Sequence, residues 1–180
     1  MTVVMLPSVI GALNRYKYIN KRVDKAIFSN YKSAYMYYIT TRDERDLPRL
    51  KDMILNSDDL SYMVKLSNYV IHGRWPEAEL KIMKNPEWAY KYALNIIRGS
   101  WPEAEPYIAK SGEWSYQYAY GVLAKPFPLG EEAIKKDALD ELEKDPDYSE
   151  YESQGWIRAH NYYLRLLHGS PDKFSEWLTS

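Results

Sequence analysis

Trp75-Pro-Glu-Ala-Glu79 recurs as Trp101-Pro-Glu-Ala-Glu105, 26 residues further on. The same offset carries Trp88 to Trp114, Tyr90 to Tyr116, Tyr92 to Tyr118 and Ala93 to Ala119. A worn third copy keeps register: Phe127, Pro128, Gly130, Glu131, Ile134 and Lys136 fall under Trp101, Pro102, Ala104, Glu105, Ile108 and Lys110. Upstream the echo is fainter, with Tyr62, Ile71 and Gly73 under Trp88, Ile97 and Gly99. Near the other end, Asp145-Pro-Asp-Tyr148 echoes Asn85-Pro-Glu-Trp88, and Leu166-Leu-His-Gly-Ser170 echoes Ile96-Ile-Arg-Gly-Ser100. A fixed period of this length marks an array of stacked supersecondary units, each unable to bury its apolar face alone.

Each copy reads as two short helices. The first starts at the Pro, whose missing N–H would be unpaired there anyway, and runs to about Lys84 or Lys110. Ser100 and Glu103 have capping-box spacing. Glu77 and Glu79 sit where the helix dipole favours acids. The second helix starts after Asn85-Pro86 or Ser111-Gly112, both good caps, and ends at Gly99, a suitable left-handed residue. Ala78 and Ile82 share a face, as do Ala104 and Ile108. The small residues at 78, 104 and 130 let a neighbouring helix approach. Trp88, Tyr92 and Ile96 form one apolar stripe and Tyr90, Leu94 and Ile97 the next, an arc wide enough to touch both a hairpin partner and the following repeat.

No stretch alternates with period two, so the expected class is all-α: short stacked helical hairpins, an α-solenoid-like array with a 26-residue repeat and atypical helical caps. Residues 1–60 form a basic, Tyr-rich N-terminal helical cap, with helices over 8–26 and 28–41 and a polar turn at Arg42–Asp46. Residues 61–136 carry the repeats. Residues 137–180 complete an acidic helix spanning Glu131–Lys144 and end in a capping hairpin over about 155–168 and 171–178. The three segments are expected to form one compact unit.

Composition narrows the function classes. The chain of 180 residues has no cysteine, which excludes disulfide frameworks, thiolate metal sites and Cys nucleophiles. Charge is balanced, 24 basic against 25 acidic residues, unlike a uniformly basic nucleic-acid binder. The apolar start, Met1 to Leu13, lacks a preceding basic residue and is interrupted by Pro7, so it reads neither as a signal peptide nor as a membrane span. A reducing, cytoplasmic setting follows, with no membrane partner. Eighteen Tyr and six Trp stand beside three Phe.

The Trp-Pro-Glu-Ala-Glu block with Glu87-Trp-Ala-Tyr-Lys-Tyr-Ala93 behind it resembles a tandem repeat of proteins from tailed bacteriophages and large DNA viruses. The match is close over residues 73–93, good over 99–119 and poor over 125–136. The resemblance implies a viral accessory protein built as a helical array. It implies no activity, since its bearers share none.

The remaining residues favour recognition over catalysis. Trp75, Trp101 and Phe127, at helix starts with fixed spacing, read as core between repeats rather than a stacking ladder for bases. Among Tyr16, Tyr18, Tyr31, Tyr35, Tyr37 and Tyr38, some must face solvent or a partner. His72 and His168 precede a Gly at helix ends, where a protonated His suits the dipole. No HExxH, phosphate loop or nucleophile elbow occurs, so no catalytic residue, cofactor or metal is expected. Residues 131–152 carry ten acids against three Lys, without EF-hand spacing, and read as a solvated face. The reading is therefore a non-enzymatic protein-binding module. Its candidate contacts are Lys91, Asn95 and Arg98, which share one face of a second helix. If the viral resemblance holds, the partner is a host protein, such as a defence factor. The alternatives are a structural virion part, or nucleic-acid binding through Lys17, Lys21, Arg22 and Lys25, a basic stripe interleaved with Tyr. The oppositely charged ends could also support self-association.

Overall fold

The structure, a computed structural model, describes residues 20, 22–144 and 153–180. It is all-α, with no strand among the described residues. Contacts divide it into two compact units, one ending at Asp59 and one spanning Leu60–Ser180, where the sequence suggests one.

In the first unit, residues 22–27 are helical and the chain turns at 28–30. Helix α1 (Tyr31–Thr41) is capped by Asn30, whose side chain accepts the Ser33 N–H, and it closes on left-handed Arg42. The Arg42–Asp46 turn contains a 3-10 turn at Glu44–Asp46. Helix α2 (Leu47–Asn56), which the sequence reading did not isolate, follows and packs on α1. Ala34, Tyr35 and Tyr38 of α1 are buried, as are Leu50 and Ile54 of α2. The Tyr38 hydroxyl donates to Glu44 at 3.0 Å.

The second unit stacks hairpins. Helix α3 (Leu60–Leu66) leads to α4 (Pro76–Ile82) and α5 (Pro86–Tyr92). Next come α6 (Glu105–Ile108) and α7 (Gly112–Tyr118). The long α8 (Glu131–Lys144), α9 (Gln154–Asn161) and α10 (Phe174–Leu178) complete the unit. Asn85, Ser111 and Ser153 cap α5, α7 and α9, each accepting the N–H of the Trp three residues later. The expected cap at Ser100 is not used: the residue before α6 is Ala104, and the Trp101 carbonyl accepts the N–H groups of Ala104 and Glu105. Helix α6 is shorter than α4 because Pro106 replaces Leu80 and cannot donate to the preceding turn.

Each of α3, α5, α7 and α9 widens into one π-helical turn: Ser67–Ile71, Ala93–Ile97, Ala119–Leu123 and Tyr162–Leu166. After the first three, the left-handed residue is His72, Arg98 or Ala124, again 26 apart, with φ of 54°, 59° and 50°. This corrects the expectation for Gly99, which follows the left-handed position instead of filling it; no described glycine has positive φ.

The core explains the repeat letter by letter. A residue before Pro is held extended, so the backbone N–H of Trp75, Trp101 and Phe127 lies outside any helix. All three residues are buried, and a buried N–H must find an acceptor. A tyrosine hydroxyl supplies it each time. Tyr92 serves Trp75 at 2.7 Å, Tyr118 serves Trp101 at 2.6 Å, and Tyr162 serves Phe127 at 2.7 Å. The same hydroxyls donate to the last Glu of each motif: Tyr92 to Glu79, Tyr118 to Glu105 and Tyr162 to Glu131.

The ring of each tyrosine then packs on the next unit. Tyr92 lies 5.1 Å from Trp101, Tyr118 5.2 Å from Phe127, and Tyr162 6.1 Å from Trp177. A continuous ladder of hydrogen bonds and ring contacts therefore links Trp75 to Trp177. Its third rung has a sequence separation of 35 rather than 17, so 18 residues are inserted there. Sixteen of them precede the Ser153 cap and two fall in α9, where cap and tyrosine are nine residues apart rather than the seven of Ser111 and Tyr118. The Asp145–Tyr148 echo lies outside the described residues.

Candidate functional site

The second helices α3, α5 and α7 stack side by side, which sets matching repeat positions next to one another on their outer side. Between α5 and α7 that side is filled. Tyr90 lies 5.8 Å from Trp114, and a Cβ on Gly121 would come within 3.2 Å of the Tyr90 hydroxyl. One repeat earlier, Val64 stands in the register of Tyr90, and between α3 and α5 a trough remains open. It comprises two cavities of about 190 and 220 Å³ that share Asn68 and Asn95. Val64, Lys65, Tyr69, Trp88 and Lys91 line the first. Ser67, His72, Ile96 and Arg98 line the second.

The three candidate contacts Lys91, Asn95 and Arg98 thus fall on one trough. Their local settings differ. Lys91 is half-buried: it pairs with Glu87 and lies over the Trp88 ring at 4.6 Å and near Trp114 at 6.0 Å. It therefore bridges two repeats instead of facing solvent alone. Asn95 is exposed and donates one N–H to the Lys91 carbonyl at 2.8 Å. Arg98 is exposed, its backbone in the left-handed position. The sequence reading missed Lys65, Asn68 and Tyr69, one period upstream of Lys91, Leu94 and Asn95. The faint upstream copy at Tyr62, Ile71 and Gly73 was the available signal.

The acids nearest the ladder are committed to structure. The Arg74 guanidinium grips Glu79 through two bonds of 2.8 and 2.7 Å. Burial opposes the Glu79 charge, but Arg74 and the Tyr92 hydroxyl outweigh it and hold its pKa below the ordinary carboxylate value. Burial, followed by the Glu79 carboxylate it bonds, pushes the Tyr92 hydroxyl up to about 12. Burial raises Tyr118 and Tyr162 further still.

The acid-dense stretch is also not a plain solvated face. Asp137 accepts the Glu113 N–H at 3.0 Å at the start of α7. Glu141 accepts the Ser153 hydroxyl and Gly155 N–H at 2.8 and 2.7 Å at the start of α9. Arg158 approaches Glu141 and Asp137 at 3.5 and 4.0 Å. The inserted helix is held by capping its neighbours.

Of the basic stripe, Lys17 and Lys21 lie outside the described residues, as do Tyr16 and Tyr18. Arg22 and Lys25 are exposed. Nearby, Arg49 pairs with Asp24 at 3.0 Å and Arg45 pairs with Asp43, so part of the basic excess is neutralised within the chain. Tyr31 and Tyr37 are half-buried. His72 and His168 are exposed at helix ends, and the His160 ring stacks on Trp156 at 4.6 Å.

Among the described residues no group of three His, Cys, Asp or Glu is arranged to hold a metal, and no helix is long and apolar enough to cross a membrane. Comparison of the chain with protein families, with curated proteins and with solved structures finds no match.

Proposed function

We propose that the chain is a non-enzymatic protein-binding module whose contact surface is the outer side of the second helices, centred on the trough between α3 and α5. The carrying observation is that trough. The repeat's own way of closing the space, a Tyr at the position of Tyr90, is absent at Val64. Large apolar side chains continue along the same helices into solvent: Tyr69, Leu94 and Tyr120 are 58%, 37% and 50% exposed. Aromatic and amide groups around a concave site on a rigid stack suit recognition of another chain. The viral resemblance of the repeat extends the proposal to a viral accessory factor acting in the cytoplasm on a host protein, such as a defence component.

The test is capture from host lysate on the immobilised chain, with nuclease present. A Val64→Tyr variant, which fills the trough as Tyr90 fills the next one, serves as comparison. Partners retained by the parent and lost by the variant are expected. Capture that disappears with nuclease, or that Val64→Tyr leaves intact, refutes the proposal.

A further inference from the structure

The charges around the trough point to its occupant. Neither cavity is lined by an Asp or Glu. Lys91, in the first cavity, is paired with Glu87; elsewhere in the second unit Arg74 has Glu79 and Arg158 has Glu141. Lys65 and Arg98 are exposed and have no ion-pair partner among the described residues, and Lys65 covers the Tyr62 ring at 4.7 Å. One cation thus stands at each end of the trough, Lys65 in the first cavity and Arg98 beside His72 in the second. Between them lie the two shared amides. Asn68 has no hydrogen-bond partner among the described residues, and the single Asn95 bond leaves its carbonyl oxygen and second N–H to offer. An amide side chain presents one donor and one acceptor in the arrangement of a peptide unit.

We infer that the trough, in the protein-binding reading given above, takes an extended acidic peptide segment. Its main chain lies on Asn68 and Asn95, and its carboxylates meet Lys65 and Arg98. Each cavity is smaller than the roughly 300 Å³ at which small-ligand pockets begin. They admit side chains, which favours a peptide over a nucleotide strand, and the chain's net charge of −1 does not attract a polyanion.

The test is selection of a phage-displayed random peptide library on the full chain, beside a Lys65→Glu/Arg98→Glu double variant whose melting point is checked first. A mixed-sequence single-stranded oligonucleotide is titrated in parallel. Enrichment of peptides with paired Asp or Glu, with affinity reduced at least tenfold by the double variant, is expected. Enriched peptides without acids, peptides indifferent to the charge reversal, no enrichment at all, or oligonucleotide binding lost in the double variant would each overturn the inference. A partner lost with Val64→Tyr but kept by the double variant would leave the binding module standing and remove only its acidic preference.

Discussion

Replacing Tyr118 by Phe removes one oxygen and changes almost nothing else in shape. That oxygen accepts the Trp101 N–H at 2.6 Å and donates to Glu105 at 3.0 Å. Trp101 is 1% exposed, so water cannot replace the lost acceptor. An orphaned buried donor costs about 1–3 kcal/mol. Glu105 is only half-buried, and solvent can repair its side. The expected loss is therefore about 2 kcal/mol, a fall of roughly 4–8 °C in melting temperature for a chain of this size. Tyr120→Phe is the control, because Tyr120 is 50% exposed and its loss should stay within about 0.5 kcal/mol. Urea melts followed by circular dichroism separate the two, with the midpoint moving and the slope constant. If Tyr118→Phe proves as mild as Tyr120→Phe, the hydroxyl does not sustain the ladder and the account of the repeat fails.

Three further outcomes follow from the same contacts. The raised Tyr92 pKa means the folded state holds its proton longer than the unfolded chain; stability should be intact below about pH 10, the ordinary tyrosine value, and should be lost as pH rises through about 12. Phenolate absorbance rising together with unfolding checks this, and gradual ionisation of a folded chain would contradict it. Gly130→Ala should cost about 1–3 kcal/mol by overpacking, because the new Cβ would meet the Ser115 side chain at 2.5 Å and the Phe127 ring at 2.7 Å; a thermal melt reads it. Lys91→Ala should cost about 1 kcal/mol, since it removes the pair with Glu87 and the cation over Trp88; a denaturant melt unchanged from the parent would show that the bridge contributes nothing.

How much of this was legible in the sequence depends on what kind of interaction a residue makes. The helices, their Asn85 and Ser111 caps and the burial of Trp75, Trp101 and Phe127 are local or periodic facts, and spacing carries them. The tyrosine ladder is neither. Its bonds join residues 17 apart in two rungs and 35 apart in the third, and nothing in a linear pattern says that a hydroxyl accepts a particular N–H. The third rung was hidden by the insertion, which displaced Tyr162 from the expected register. The π-helical turns were equally silent. A wide turn uses the same residues as an α-turn, so the left-handed position was placed on Gly99 although Arg98 occupies it. The capping role of Asp137 and Glu141 depended on α8 lying across the starts of α7 and α9, which charge counting along the chain cannot show.

The repeated and the unrepeated letters have different duties. Trp, Pro, Ala, the second Glu, the later Tyr and the Ala after it recur because the ladder needs them, and all but the Pro and parts of the Glu are turned inward. Positions on the outer side do not recur in the same way. Lys65 and Lys91 give way to Gln117, Tyr69 and Asn95 to Gly121, and His72 and Arg98 to Ala124. The basic and aromatic character is concentrated in the first two copies, where Val64 leaves the trough open, and fades in the third, where Tyr90 and Trp114 close it. A repeat signature built from the inward letters therefore specifies a stack and is indifferent to what the stack holds. In this reading the specificity of the chain lies in the residues that break the repeat, and two chains with the same Trp-Pro-Glu-Ala-Glu ladder can have unrelated partners.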